Sequence, residues 1–186
     1  MIRQSAPSRL TVPVSERDHI LGPAMAPVTL VEYGDYECSY CGQAHPVVKQ
    51  LQLLLGRRLR FVFRHFPLAT VHLHAQHAAE AAEASGAQGK FWAMHDILFA
   101  HQHALDDDDL VRYAAALDLD LYRFNSELAG HIHAARVRED FLSGARSGVN
   151  GTPTFFINGV RHDESYDFDT LLNAIERAMG VVTDIR

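Results

Sequence analysis

The chain contains only two cysteines in 186 residues, Cys38 and Cys41, and they form a CxxC pair between two segments of different character. Residues 28–33 before the pair are nearly all apolar and partly β-branched, which predicts a buried strand. The residues after the pair repeat apolar positions with the period of an amphipathic helix. The pair therefore lies at the N-terminus of a helix, where unpaired N–H groups and the helix dipole stabilise a thiolate and lower the pKa of a cysteine.

Thiol–disulfide exchange is the chemistry that this pair predicts. Cys38 is nearer the start of the helix and is the expected nucleophile, whereas Cys41, one turn further on, is placed to attack the mixed disulfide and release the substrate.

Two other roles for the cysteine pair, a zinc site and a structural disulfide, are less favoured. A zinc site needs four ligands, and no second CxxC supplies the rest, so histidines would have to complete it. A structural disulfide across so short a loop removes little entropy from the unfolded chain.

The overall composition argues against some partners. The formal net charge is −6 and the sequence pI is near 6.0, so the chain as a whole does not attract nucleic acid. No run approaches the roughly 20 apolar residues that cross a bilayer. Residues 1–10 contain charge and proline in place of the apolar centre of a secretory signal. We therefore expect a cytoplasmic protein without a membrane partner, and a chain whose signal had been removed would look the same.

The chain divides into five segments by composition and periodicity. Residues 1–26 contain several prolines and no sustained period, and we interpret them as an extended N-terminal arm. Residues 27–70 carry a strand, the CxxC helix and a second strand, whereas residues 71–147 carry helical patterns only. Residues 148–180 return to strand and hairpin patterns before a final helix, and residues 181–186 form a tail.

The first half has the pattern of a βαβ unit. The helix that starts at the CxxC ends at Gly56, and Pro46 inside it predicts a kink or a separate first turn. Residues 59–66 alternate as a second strand, which Pro67 stops. A strand, a helix and a strand in this order predict a right-handed crossover with parallel strands.

Residues 71–147 predict four or five helices. Aspartates at 106–109 and at 120 stand where two of them begin, and acidic residues favour the helix dipole there. The run lacks the glycine and the distal glutamate of a calcium-binding loop. Seven histidines of this block form clusters in which neighbours stand mostly two positions apart, which places them on different helix faces, so we predict no metal site. These histidines are His72, His74, His77, His101, His103, His131 and His133.

The end of the chain predicts a hairpin and a helix. Residues 154–157 have the composition of a strand, and Asn158-Gly159 is a strong two-residue hairpin turn. Pro153 stands at the start of that strand, where a proline is tolerated. Residues 167–179 predict a capped amphipathic helix.

Glu32 is the exception in the first apolar strand. A carboxylate at this position is either exposed at a sheet edge or buried with a purpose. Burial without a partner is costly and would raise the pKa of the carboxyl group, which is a common property of acids that transfer protons.

The order of these motifs resembles the DsbA-like branch of the thioredoxin superfamily. The resemblance covers about residues 26–180, and four segments carry it: residues 28–32, 35–41, 89–92 and 151–155. It implies an α/β protein with a thioredoxin-like fold, in which a central mixed sheet is flanked by helices and interrupted by a large all-helical insertion. The CxxC together with the Gly-Thr-Pro-Thr box makes the resemblance specific.

The resemblance also implies roles for individual residues. Relatives have a cis peptide bond at the pair equivalent to Thr152-Pro153, beside the cysteines, where a proline without an N–H leaves backbone groups free to pair with an extended substrate. Relatives place a buried acid six residues before the first cysteine, the position of Glu32, to move a proton during resolution. Ser39 and Tyr40 complete the expected substrate-binding set. No cofactor is implied.

Ser39 and Tyr40 are also where this chain departs from its relatives. Strongly oxidising members carry a histidine next to the second cysteine, and many cytosolic relatives carry a proline after the first. Without that imidazole the thiolate loses one source of stabilisation, so we expect a less oxidising pair than the strongest oxidants have.

The sequence thus predicts a protein thiol–disulfide oxidoreductase that acts on protein or peptide thiols and disulfides, with an unknown redox partner. Two alternatives stay open. One is a thioredoxin-fold isomerase or transferase that acts on small thiol adducts, although the intact cysteine pair argues against it. The other is a peptide-binding module without turnover.

Overall fold

Residues 8–180 of the computed structural model form one mixed sheet with helices on both faces. Its strands are β1 (His19–Leu21), β2 (Val28–Gly34), β3 (Leu59–His65), β4 (Thr154–Ile157) and β5 (Val160–His162). Across the sheet they lie in the order β1, β3, β2, β4, β5, and the β2–β3 pair is parallel while the others are antiparallel. Residues 1–7 of the predicted arm and the predicted tail, 181–186, lie outside the described residues.

The helices confirm the predicted fold class. Those within residues 8–180 are α1 (Ser39–Leu55), α2 (Ala75–Gly86), α3 (Phe91–Ala100), α4 (Asp107–Ala116), α5 (Leu121–Ala129), α6 (Ala134–Arg146) and α7 (Phe168–Ala178), and a short 3₁₀ helix (Gly56–Arg58) follows α1. The five helices α2 to α6 lie between β3 and β4 without an intervening strand. A central mixed sheet flanked by helices is therefore interrupted by an all-helical insertion, as predicted.

Hydrogen bonds at three aspartates confirm the predicted helix starts. The side chains of Asp106, Asp120 and Asp167 each accept the backbone N–H of the residue three positions further on. Pro46 lies inside α1, which is one helix from end to end. The proline therefore does not separate the CxxC turn from the rest of the helix.

Alternate residues of the two central strands point to opposite faces of the sheet and build two cores. Leu30 and Phe61 belong to the core beneath α1 and α7. Val31 and Val62 belong to the second core, against which Phe141 of α6 packs. The central strands are thus covered on both faces, as their unbroken apolar sequence predicts.

The structure adds a strand that lies within the predicted arm. β1 pairs antiparallel with β3, with Ile20 opposite Val62, and Arg9 forms a single bridge to Val160 at the other edge of the sheet. Three residues are too few to display the two-residue period by which a strand is predicted. The pairing therefore depends on β3, a partner that is distant in sequence.

A buried guanidinium holds this arm on the sheet. Arg64 donates two hydrogen bonds to the carboxylate of Asp18, at 2.7 and 3.1 Å. It also donates to the carbonyl oxygens of Val12 and Pro13 and to the hydroxyl of Tyr33. All five N–H groups of the guanidinium have partners, which is the condition under which a buried charge is tolerated.

Candidate active site

The two cysteines lie at the start of α1, as predicted. Cys38 is the residue that precedes the helix, and its backbone is extended, with φ −73° and ψ 119°. Its carbonyl accepts the N–H of Gly42 at 3.1 Å, and its own N–H donates to the carbonyl of Asp35 at 3.2 Å. Cys41 is in the first turn of the helix. The free N–H groups of this turn therefore surround the Cys38 side chain.

The environment of Cys38 favours its thiolate. The pKa of Cys38 is lowered from 9.0 to about 5, mainly by a hydrogen bond from the Cys41 thiol, then by Thr152 and by backbone N–H groups at Tyr40 and Cys41; burial opposes this shift. As a thiol, Cys38 Sγ lies 3.3 Å from the Thr152 carbonyl oxygen. The buried Thr152 hydroxyl has no hydrogen-bond partner among the described residues, so it is available to the thiolate.

The environment of Cys41 has the opposite effect. Its side chain is fully buried, whereas Cys38 keeps 5% of its surface exposed. Burial raises the pKa of Cys41 well above its usual value, and the charges on Cys38 and Glu32 raise it further. The backbone N–H of Asp35 points at the sulfur, at 3.5 Å. Cys38 is thus the thiolate and Cys41 the thiol at neutral pH.

Glu32 is buried, so the alternative of an exposed edge position is wrong. It lies in β2, which has a neighbour on each side, and only 2% of it is exposed. Burial raises the pKa of Glu32 from 4.5 to about 8, and the negative charge of Cys38 adds to the shift. Its Oε1 atom has no hydrogen-bond partner among the described residues. Glu32 can therefore hold or release a proton near neutral pH beside the cysteine pair.

The structure brings the remaining predicted site residues to the same region. The peptide bond between Thr152 and Pro153 is cis, and the Thr152 carbonyl touches Cys38. Ser39 and Tyr40 are exposed in the first turn of α1, and 59% of Tyr40 is accessible. They offer a polar and an aromatic surface next to the reactive sulfur.

Sequence analysis missed Gln102, which reaches the site from the turn after α3. Its Nε2 donates to the carbonyl oxygens of Tyr36 and Cys38, at 2.8 Å each. A side chain at position 42 would collide with this amide, so Gly42 is required for the contact. The glycine directly after Cys41 is the one sequence signal that could have suggested such a close approach.

Sequence analysis also missed the role of Asp35. Its Oδ1 accepts the N–H of Glu37, and its Oδ2 accepts both the N–H of Leu68 and Nδ1 of His72, all at 2.8 Å. The carboxylate is completely buried. Asp35 therefore joins the segment before Cys38 to the loop that follows β3.

Two groups of side chains within residues 8–180 could hold a metal ion. The first is joined by hydrogen bonds, because Nε2 of His19 and Nε2 of His65 both lie 2.8 Å from Oε1 of Glu83. His95 of the helical block belongs to the second group, whereas none of the seven clustered histidines named above belongs to either group. The two groups are His19, His65 and Glu83, and His45, His95 and Asp96.

Comparison with known proteins identifies the family. A family model described as "Thioredoxin" matches residues 14–177, and the chain belongs to this family. The structure of a thioredoxin-like oxidoreductase from Silicibacter pomeroyi DSS-3 is similar, with a TM-score of 0.79 at 26% identity over 90% of this chain and 95% of that one. α-DsbA1 from Wolbachia pipientis gives a TM-score of 0.77 at 23% identity over 92% and 94%. The predicted DsbA-like thioredoxin fold is confirmed.

A curated relative has a name of a different kind. "Na(+)/H(+) antiporter NhaA 1" of Salinispora arenicola (strain CNS-205) is 55% identical over 172 residues, which cover 92% of this chain and 26% of that protein. The chain thus spans about a quarter of the length of the curated relatives it matches first. Among the helices of residues 8–180, none combines the length and the hydropathy that a bilayer crossing requires.

Ionisation of Cys38 gives a direct test of this geometry. We expect the ultraviolet thiolate absorbance of the reduced chain to titrate with a midpoint near pH 5. Cys41→Ala should move the midpoint upward, because the Cys41 hydrogen bond makes the largest contribution to the low pKa. Cys38→Ala should remove the transition. A midpoint near 9 in the unchanged chain would contradict the assignment.

Proposed function

We propose that this chain is a protein thiol–disulfide oxidoreductase in which Cys38 is the nucleophile and Cys41 the resolving cysteine. The observation that carries the proposal is the opposite effect of one helix turn on its two cysteines. The pKa of Cys38 is lowered, and the pKa of Cys41 is raised. A low-pKa thiol that is slightly exposed attacks a disulfide and later leaves easily, whereas a buried thiol stays protonated until it resolves the mixed disulfide.

The exchange has two steps when the oxidised pair accepts electrons. A substrate thiolate attacks Cys38 Sγ, the Cys38–Cys41 bond breaks, and a substrate–Cys38 disulfide forms while Cys41 leaves and takes up a proton. The second substrate thiolate then attacks the substrate sulfur and releases Cys38 as a thiolate. The substrate loses two electrons and becomes a disulfide, and the pair gains them. The same steps in reverse reduce a substrate disulfide.

Glu32 is the proposed donor of the proton that Cys41 takes up. Its carboxyl group is protonated at neutral pH, because its pKa is about 8, and when it is ionised its charge raises the pKa of Cys41. In the reverse direction the carboxylate accepts the Cys41 proton. No solvent is needed at a sulfur that is fully buried.

An extended substrate segment fits beside the Thr152-Pro153 bond. The Thr152 carbonyl lies against Cys38, and Pro153 lacks an N–H that would compete for backbone pairing. The exposed Tyr40 offers an apolar face to side chains next to the substrate cysteine. We propose unfolded or extended polypeptides with cysteines as the substrate class, bound by strand addition.

The exchange site lies in the region that this chain shares with the relatives named as antiporters. All residues of the exchange site lie within residues 32–153, inside the part that the thioredoxin family model matches. The activity of the longer relatives as whole proteins is a separate question. For them we propose that the shared region supplies thiol–disulfide exchange, whatever the rest of the chain transports.

Cysteine variants separate this proposal from its alternatives. With a reduced, unfolded polypeptide as substrate and the protein in its oxidised form, the unchanged chain should catalyse disulfide formation. Cys38→Ala should abolish it, because the nucleophile is absent. Reduced Cys41→Ala, given a polypeptide that already contains a disulfide, should accumulate mixed disulfides that mass spectrometry detects at Cys38, because Cys38 displaces one substrate thiolate and no Cys41 thiol remains to resolve the product.

The alternatives predict other outcomes in the same assay. A transferase that needs one thiol would keep its turnover in Cys41→Ala. A binding module would show no exchange in the unchanged chain and would hold the polypeptide equally well as Cys38→Ala. Either result would overturn the proposal.

The proposed role of Glu32 can be tested by the pH dependence of the step in which Cys41 leaves and takes up a proton. Glu32→Gln keeps the size of the side chain but cannot exchange a proton, so we expect the step in which Cys41 leaves to slow by about tenfold or more at neutral pH. In the unchanged chain the rate constant of this step, expressed per substrate thiolate, should be highest below pH 8, where the carboxyl group is protonated, and should fall above it. Glu37→Gln is the matched control. Identical pH profiles for the unchanged chain and Glu32→Gln, measured by stopped flow, would contradict the role.

A further inference from the structure

A histidine from the helical insertion contacts Asp35, in the segment directly before the cysteine pair. Nδ1 of His72 lies 2.8 Å from Oδ2 of Asp35, and about a quarter of the His72 side chain is exposed while the Asp35 carboxylate is fully buried. The ring is thus fixed at one nitrogen and open to solvent on its other side. It belongs to the loop between β3 and α2, far from the CxxC in sequence.

Several contacts hold this loop against the segment before Cys38. The N–H of Leu68 donates to Asp35 at 2.8 Å, and the N–H of His74 donates to Oε2 of Glu37 at 2.7 Å. The N–H of His72 itself donates to the carbonyl of Leu68 at 2.9 Å. Both the backbone and the ring of His72 are therefore held in place, and its position does not depend on a single bond.

Asp35 connects this imidazole to both cysteines. Its N–H points at Cys41 Sγ at 3.5 Å, and its carbonyl accepts the N–H of Cys38 at 3.2 Å. A single residue therefore separates the His72 ring from the CxxC turn. Because the Asp35 side chain is fully buried, the charges of His72 and of the cysteine pair are screened less than charges in bulk water.

The charges around His72 favour its protonated form. Partial burial lowers the pKa of His72, but the hydrogen bond to Asp35 and the negative charges of Asp35, Cys38 and Glu37 outweigh it, and the pKa is raised overall. Charge interactions are mutual: a thiolate at Cys38 that favours the imidazolium is itself favoured by it.

We propose that His72, oriented by Asp35, is a positioning residue whose imidazolium, brought from the insertion, stabilises the Cys38 thiolate. The inference rests on the proposed function, because it concerns how the reactivity of Cys38 is set.

Reduction of the cysteine pair links this charge to pH. Two electrons reduce the Cys38–Cys41 disulfide to one thiolate and one thiol, with one proton taken up at Cys41. The new negative charge at Cys38 draws further protonation onto His72 from solvent, so the reduced form is favoured more strongly as the pH falls.

The test is the equilibrium of the cysteine pair in graded glutathione buffers, read by thiol trapping and mass spectrometry. His72→Gln removes the cation and keeps a polar side chain. At about pH 6, where His72 is charged, we expect the equilibrium constant for reduction to fall by about threefold to tenfold. At alkaline pH, above the raised pKa of His72, the histidine loses its charge and the two chains should agree within error. His74→Gln is the matched control, because His74 lies on the same loop, is exposed and contacts Glu37 only through its backbone.

Each outcome of this test has one meaning. A difference that is present at low pH and disappears at high pH supports the charge role of His72. Equal constants at both pH values, or a shift that is the same at both, would overturn it, because a purely structural effect does not follow the ionisation of His72. A chain that never exchanges with glutathione would instead refute the proposed function, and exchange that persists with unchanged constants would refute only this inference.

Discussion

The position of Cys38 at the first turn of α1 is the constraint on which the rest of the site depends. The turn brings N–H groups and the Cys41 thiol to one sulfur and leaves the other sulfur buried. The sheet then places its own contributions at the same point, because β2 leads directly into this turn and β4 begins next to the Thr152-Pro153 bond. A reactive thiolate and a proton-holding carboxyl group at Glu32 are thus consequences of one strand–helix junction in a fully covered sheet.

The helical insertion takes part in this site as well as covering it. Gln102 binds two carbonyl oxygens of the CxxC segment, and the loop before α2 is held by Asp35 and Glu37. These contacts come from the loop before α2 and from the turn after α3. The loop contacts hold the His72 imidazole on Asp35, the residue whose backbone contacts both cysteines. In this fold the insertion can adjust the chemistry of the cysteines while the motif itself stays unchanged.

Local patterns were sufficient to predict most of the helices and strands and the cysteine pair, whereas the thioredoxin-like fold and the role of Thr152-Pro153 followed from the family resemblance. The strand before Cys38, the helix after it and the capping aspartates follow from periodicity and from side chains that act within a few residues. The sequence left two alternatives for the Glu32 side chain, exposure at a sheet edge or burial, because burial depends on neighbouring strands and helices that are distant in the sequence. β1, Gln102 and the Asp35–His72 pair could not be predicted, because each depends on a partner more than 30 residues away. Such long-range pairs leave no period or spacing in the sequence.

The two cysteines differ in ionisation and in access to solvent, and selective alkylation distinguishes them in one experiment. The reduced chain would be treated with a limiting amount of iodoacetamide at about pH 6, below the pKa of an ordinary cysteine, and its peptides would be mapped by mass spectrometry. We expect a single label on Cys38 and an unmodified Cys41, because only Cys38 is both ionised and partly exposed. Equal labelling of both cysteines, or labelling of Cys41 first, would contradict it.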